Sequence, residues 1–397
     1  MRTGLEVLHD DDFRPLAGQR VALMTSPGAV DHRLRSAYDL FTRSAGVNLV
    51  ALFSPEHGLS GVEEAGELIA SSTDARTGLP VYSLHGDTFR PTADMLAGVD
   101  VIVCDVQDIG VRYYTYPWTI THIIEAAGEY GVRVLILDRP NPLGGIVVDG
   151  PLLDRHLTSL VGRYPVPVRH GLTLGELMQM HNATWNPTPA DLTVIPCDGW
   201  RRGMLWPDTG LPWVPPSPNF PQLATLAHYP GACLVEGTRL SEGRGTTLPF
   251  EIVGAPWIDG PVLADHLRGA AWGERFGAGF RPHSFRPTFE KWAGQVCHGV
   301  QVHVLDPARW RPLEVWIGLI AAIRTLYPER FEWLPIFEGA SAPHFDLLIG
   351  SKCVRREIEA SATAGQSIEA LLARFAVEWA DDSHAFEVQR QPFLLYD

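Results

Sequence analysis

Over residues 20–138, short β-branched apolar runs alternate with stretches of helical periodicity. No other feature constrains the fold as tightly. The runs are "RVALMTS" (20–26), "NLVALF" (48–53), "PVYSL" (80–84), "DVIVCDV" (100–106) and "RVLILD" (133–138), each read as a strand. Between them, 33–46 and 119–131 show helical spacing and end in glycine, and 172–185 adds a third helix that closes this half. Alternating strands and helices predict a mostly parallel sheet with helices on both faces. In such sheets ligands bind beyond the carboxyl ends of the strands, so the residues after each run are the first to inspect.

Those residues are polar. Ser26-Pro27-Gly28 follows the first strand and Ser54-Pro55-Glu56-His57-Gly58 the second. Gln107, Asp108, Arg112, Tyr113, Tyr114 and Tyr116 follow "DVIVCDV", and Arg139-Pro140-Asn141-Pro142 follows "RVLILD". Parallel strands would gather all four groups on one rim. Taken singly, each has a plain reading: Asp108 caps a turn, Arg139 pairs with Asp138, and 140–142 is a rigid turn.

The Pro-, Gly- and Trp-rich stretch 199–222 reads as an ordered loop leading to a boundary near 225. This gives an N-terminal domain over 1–225 and a smaller α+β domain over 226–397. In the second half 297–306 alternates as a strand, while 313–328 and 367–386 are helical. The segment "EGTRLSEGRGTTLPFE" (236–251) holds Glu236, Glu242 and Arg244 among glycines that permit close approach to a ligand, and arginines that fork onto carboxylates.

Other chemistries find no support. A net charge of −14 argues against nucleic acid and anionic membranes. The five cysteines form no CxxC pair, so neither a disulfide scaffold nor a zinc ribbon is expected, and Cys104 reads as a buried thiol. No metal-ligand spacing occurs, and His298 and His303 read as ordinary strand positions. GxxxxGK[ST], GxSxG and HExxH are absent, and no GxGxxG follows the first strand, which speaks against a nicotinamide enzyme; no cofactor is expected. No apolar run suits a membrane span or a secretory leader, so the compartment expected is cytoplasmic for the chain as it stands, and periplasmic or secreted if a leader has been removed. Carboxylates, one histidine, tyrosines, arginines and loop tryptophans suit glycoside hydrolysis, which needs an acid that keeps its proton and commonly a second carboxylate. Glu56 is the acid expected.

The strings "SPEHGLSG", "DVQDIGVRYYTY", "DRPNPLGG", "GLPWVPPSPNFP", "PGACLVEGTRLSEGRGTTLPFE" and "GAPWIDG" resemble the exo-β-N-acetylmuramidase family, glycoside hydrolase family 171. The resemblance runs from about residue 18 to the C-terminus. It implies a Rossmann-like N-terminal domain, a smaller C-terminal domain, a site between them, and release of N-acetylmuramic acid (MurNAc) from the non-reducing end of peptidoglycan fragments. Muramyl saccharides would be the binding partners. The family's PEHG glutamate falls on Glu56, as catalytic acid. The matching strings carry Asp108 and Glu242 as candidates for a second catalytic group, with the substrate's own N-acetyl group a third. They carry His57, Tyr113, Arg139, Asn141, Asn219, Glu236 and Arg244 as sugar-binding residues. Arg244 or Arg139 would meet the lactyl carboxylate. The first-strand loop "TSPGAVD" departs from the Asn-x-Thr-Gly pattern expected there, which leaves Ser26 without an assigned role. A non-catalytic muropeptide-binding protein on the same fold is the alternative.

Overall fold

The computed structural model describes residues 1–64 and 66–397. The chain forms two compact units, each discontinuous in sequence. Unit 1 comprises 1–148, 170–218 and 387–397; unit 2 comprises 149–169 and 219–386.

Unit 1 is built on a seven-stranded sheet. Its strands are β1 (Arg20–Thr25), β2 (Asn48–Ser54), β3 (Ser72–Thr73), β4 (Pro80–Ser83), β5 (Val101–Asp105), β6 (Arg133–Leu137) and β7 (Leu192–Ile195). The order is β3-β4-β2-β1-β5-β6-β7. All pairings are parallel except β3 with β4. The period-two alternation of strand side chains splits the apolar residues between two faces. Val21, Leu23, Val101, Val103, Leu135 and Leu137 join one cluster with Leu5, Leu8, Leu40 and Phe41 of the Gly4–Asp10 and Ala37–Arg43 helices. Ala22, Met24, Ile102, Cys104, Val134 and Ile136 alternate with them and are equally buried. The Tyr116–Tyr130 and Leu174–Thr184 helices also pack on β6. Both faces are therefore covered, as the unbroken apolar runs require.

The chain leaves β1 for β2 and β4 on one side, and returns to β5, β6 and β7 on the other. Its topological switch lies between the carboxyl ends of β1 and β5. That is where an open α/β sheet leaves a crevice.

Two helices of unit 1 differ clearly from their sequence-based extents. The first is Ala37–Arg43 rather than 33–46. Asp31 accepts from the Arg33 and Arg35 backbone N–H groups and from Arg35 Nε, holding 31–35 as a loop, and Ser36 caps the helix through Asp39 N. The second begins at Tyr116, with Pro117 in its first turn, where proline is well tolerated. Every peptide bond among the described residues is trans, including those of 140–142.

Unit 2 carries an antiparallel sheet of β8 (Ile252–Ala255), β9 (Ala278–Phe285) and β10 (Cys297–Val304), in the order β8-β10-β9. His298 and His303 are ordinary positions of β10. The Pro312–Leu326 helix is buried along most of its length. The Ile368–Arg390 helix, packed through Leu371, Leu372, Phe375 and Trp379, is the longest described. No described helix is long and apolar enough to cross a membrane.

Candidate active site

Glu56 follows the last residue of β2 by two positions, so strand direction fixes where its backbone starts. Pro55, His57 and Gly58 then make a tight turn: Gly58 N donates to Pro55 O at 3.1 Å, and His57 and Gly58 both have left-handed φ, 70° and 71°. Such a conformation is costly for a histidine, and strain of this kind collects at functional sites. His57 Nδ1 lies 2.7 Å from the Glu63 carbonyl, and its ring meets Tyr116 edge-on.

Glu56 is only 8% exposed. Gly66 N donates to Oε1 at 2.7 Å, and Thr115 Oγ1 donates to Oε2 at 2.6 Å. Thr115 occupies the N-cap position of the Tyr116–Tyr130 helix, yet its hydroxyl makes no capping bond. A threonine there ordinarily accepts from the first helical turn; this one serves Glu56 instead. His85 Nε2 stands 3.9 Å from Glu56 Oε1, and burial lowers the pKa of this histidine, so Glu56 has a neutral imidazole as neighbour. Thr115, His85 and Gly66 carry no sequence signal as partners of Glu56, because 10 to 59 residues separate them from it.

Asp108 lies beyond β5, beside the topological switch. Gly110 N donates to its Oδ2 at 3.0 Å, and Oδ1 has no hydrogen-bond partner. His170 Nε2 is 3.7 Å from Oδ2. Leu172 N donates to His170 Nδ1 at 3.2 Å, which assigns the ring proton to Nε2, facing Asp108. Burial, reinforced by the nearby charge of Asp138, pushes the Asp108 carboxyl up to about 7.

The other rim residues are held by the scaffold. Arg139, expected on the sugar, is 2% exposed. It forks onto Asp105 through Nε and Nη2, at 2.5 and 2.9 Å, while Nη1 donates to Val30 O at 2.9 Å. Its ion-pair partner is thus Asp105 at the end of β5, not Asp138. Asp138 instead accepts from Tyr396, Thr173 and Gly175. Asn141 donates from Nδ2 to Leu172 O and accepts from Leu143 N at Oδ1. It lies so close to Gly110 that a Cβ there would fall 2.3 Å from Asn141 Oδ1. Tyr113 is buried; Tyr114 and Tyr116 both donate through their hydroxyls to Pro216 O. Trp118, Trp200 and Trp206 are core residues and offer no exposed face for stacking on a sugar.

In unit 2, 236–251 holds a largely buried charged cluster. Arg244 Nη2 donates to Glu236 Oε1 at 2.6 Å, and Nε is 3.4 Å from Glu242 Oε1. Lys291 Nζ is 2.6 Å from Glu242 Oε2, and His344 Nε2 is 3.7 Å from Glu236 Oε2. Arg244 lies over the Phe250 ring, is 8% exposed, and its Nη1 has no hydrogen-bond partner. The arginine holds Glu236 well below the usual carboxylate range against the opposing effect of burial. Glu242, with cations on both oxygens, is firmly ion-paired. Asn219 is buried. Lys291 and His344 carried no motif of their own. No group of three or more His, Cys, Asp or Glu among the described residues could hold a metal ion.

Two family models match almost the whole chain: the N-terminal domain of exo-β-N-acetylmuramidase NamZ over residues 21–224, and its C-terminal domain over 227–396. The peptidoglycan β-N-acetylmuramidase NamZ of Bacillus subtilis (strain 168) is 41% identical over 396 residues, covering 100% of this chain and 91% of that protein. Crystal structures of two DUF1343 family proteins from Bacteroides fragilis NCTC 9343 superpose with TM-scores of 0.87 and 0.77, at 35% and 33% identity, and cover 100% of this chain and 99% of theirs. The chain belongs to the exo-β-N-acetylmuramidase family.

Proposed function

We propose that this protein is an exo-acting glycoside hydrolase that releases N-acetylmuramic acid from the non-reducing end of peptidoglycan fragments, with Glu56 as general acid. Full-length identity of 41% to a peptidoglycan β-N-acetylmuramidase supports the activity. The observation that carries the role of Glu56 is its pairing with Thr115. A hydroxyl can donate to a carboxylate or accept from a carboxylic acid, so Oε2 has a partner before and after it gives up a proton. Gly66 N fixes the other oxygen. The acid can therefore protonate the leaving oxygen without losing its orientation.

The second group follows by comparison of the carboxylates. Glu242 is ion-paired through both oxygens. Asp108, at about 7, holds much of its proton at neutral pH and would be a poor nucleophile. Both facts favour the substrate's own N-acetyl group as the internal nucleophile, a route established for some glycosidases. Asp108 Oδ1 is the acceptor we assign to the acetamido N–H. Arg244, with Nη1 unpartnered, is the group we assign to the lactyl carboxylate.

The test is incubation with a chromogenic MurNAc glycoside beside its N-acetylglucosamine counterpart. Release from the muramyl compound alone is expected, with the first-formed anomer in proton NMR retaining the β configuration. No release from any small muramyl glycoside would refute the activity, and first formation of the α anomer would refute acetamido assistance.

A further inference from the structure

Unit 1 contains a cavity of about 660 Å³ at the carboxyl ends of β1, β2 and β4. Ser54 and Gly58, two residues either side of Glu56, line it, together with Thr25, Ser26, Glu63 and Ile69. Its volume falls in the range of small-molecule sites.

The charges around this cavity are almost all engaged within the chain. Arg76 uses Nε on the Tyr38 hydroxyl at 3.1 Å, Nη1 on Asp39 at 2.9 Å and Nη2 on Thr42 Oγ1 at 3.4 Å, with its plane 4.1 Å over the Tyr38 ring. Asp74 Oδ2 accepts from Tyr38, Thr77 N and Thr77 Oγ1. Three described lining atoms remain buried without a hydrogen-bond partner: Thr25 Oγ1, on a residue 1% exposed, Glu63 Oε2, and Ser26 Oγ. Gly58 makes the second possible, because a Cβ there would come within 2.7 Å of Glu63 Oε2.

A buried carboxylate oxygen and a buried hydroxyl left unpaired each carry a free-energy penalty that a ligand can remove. The carboxylate accepts from sugar hydroxyls. It also repels an anion, since the lining cation Arg76 is already engaged by Tyr38, Asp39 and Thr42. Apolar surface from Pro27, Leu59 and Val81 suits the faces of a sugar ring or an acetyl methyl. MurNAc bears a carboxylate, whereas the N-acetylglucosamine that alternates with it in peptidoglycan is neutral.

We infer that this cavity is a subsite for a neutral N-acetylhexosamine on the leaving-group side of the scissile bond, held by Glu63 and Thr25. The assignment of the leaving-group side rests on the activity proposed above. Isothermal titration with N-acetylglucosamine tests the cavity directly. Binding to the wild-type chain should weaken about tenfold in Thr25→Val and in Glu63→Ala, each checked for a melting temperature no lower than that of the wild type. The same variants should lower kcat/KM for a MurNAc-N-acetylglucosamine disaccharide about tenfold more than for a chromogenic MurNAc glycoside. Equal affinity in wild type and both variants, no binding to the wild type, or equal loss on the two substrates would overturn the inference. The titration needs no turnover. A chain that binds N-acetylglucosamine through these two residues yet hydrolyses no muramyl glycoside fails the activity reading alone.

Discussion

Replacing Asp108 with asparagine should stabilise the protein at neutral and alkaline pH and leave it nearly unchanged in acid. The carboxyl is 3% exposed, and burial moves it from an ordinary 3.8 to about 7. The native state thus holds this proton more tightly than the unfolded chain. Stability contributed by the group is intact below about 4, falls as pH rises through about 7, and is flat beyond. A displacement of about three pH units corresponds to ~4 kcal/mol. The asparagine amide keeps an oxygen for Gly110 N but brings an N–H₂ that needs a partner of its own. A net gain of about 2–4 kcal/mol at pH 8 is therefore expected. Asp138, also raised by burial to about 6, titrates in both proteins and largely cancels in their difference. Urea unfolding of wild type and Asp108→Asn at intervals from pH 4 to 8 provides the assay. A stability gap that does not widen with pH, or that favours the wild type at pH 8, would refute the reasoning. A widening gap would identify a carboxylate kept at a cost to folding, as functional groups often are.

Thr115→Val should lower kcat about ten- to hundredfold and, by leaving Glu56 Oε2 without its donor, cost about 1–3 kcal/mol of stability, both recovered in Thr115→Ser, because its hydroxyl serves Glu56 and not the helix. A large drop in stability with normal kcat would restore it to a capping role. Arg139→Met strands Asp105 as an unpaired buried charge and should cost about 3–5 kcal/mol in urea unfolding, most of it recovered in the double variant with Asp105→Asn; a double variant no more stable than the single would contradict the ion-pair account. Arg244→Ala should narrow the preference for MurNAc over N-acetylglucosamine glycosides at least tenfold. The wild-type ratio in that variant would remove Arg244 from lactyl recognition.

The sheet of unit 1 was legible because β1, β5 and β6 are buried on both faces and read as unbroken apolar runs, with β2 buried over its second half. β7 was not: Leu192–Ile195 is only half-buried and sits among prolines. β9 carries Arg281 and Pro282, which break the strand pattern but are tolerated at the edge of its sheet. For the site, strand direction alone brought Glu56, Asp108, Arg139 and Asn141 to one rim. Their division of labour was hidden, because it depends on partners far along the chain. Arg139 reads as a partner of Asp138 or a sugar ligand until Asp105, 34 residues earlier, is seen forked onto it. Thr115 reads as one hydroxyl in a tyrosine-rich string until its bond to Glu56 appears.

Proton delivery by Glu56 is tested most directly by varying the leaving group in Glu56→Gln. A dinitrophenolate departs without protonation, whereas a sugar alkoxide does not. The account predicts that kcat/KM for the MurNAc disaccharide falls about 10²–10⁴-fold, while the dinitrophenyl glycoside loses less than about a tenth of that factor. Equal losses on both substrates, or a variant as active as wild type on the disaccharide, would contradict it.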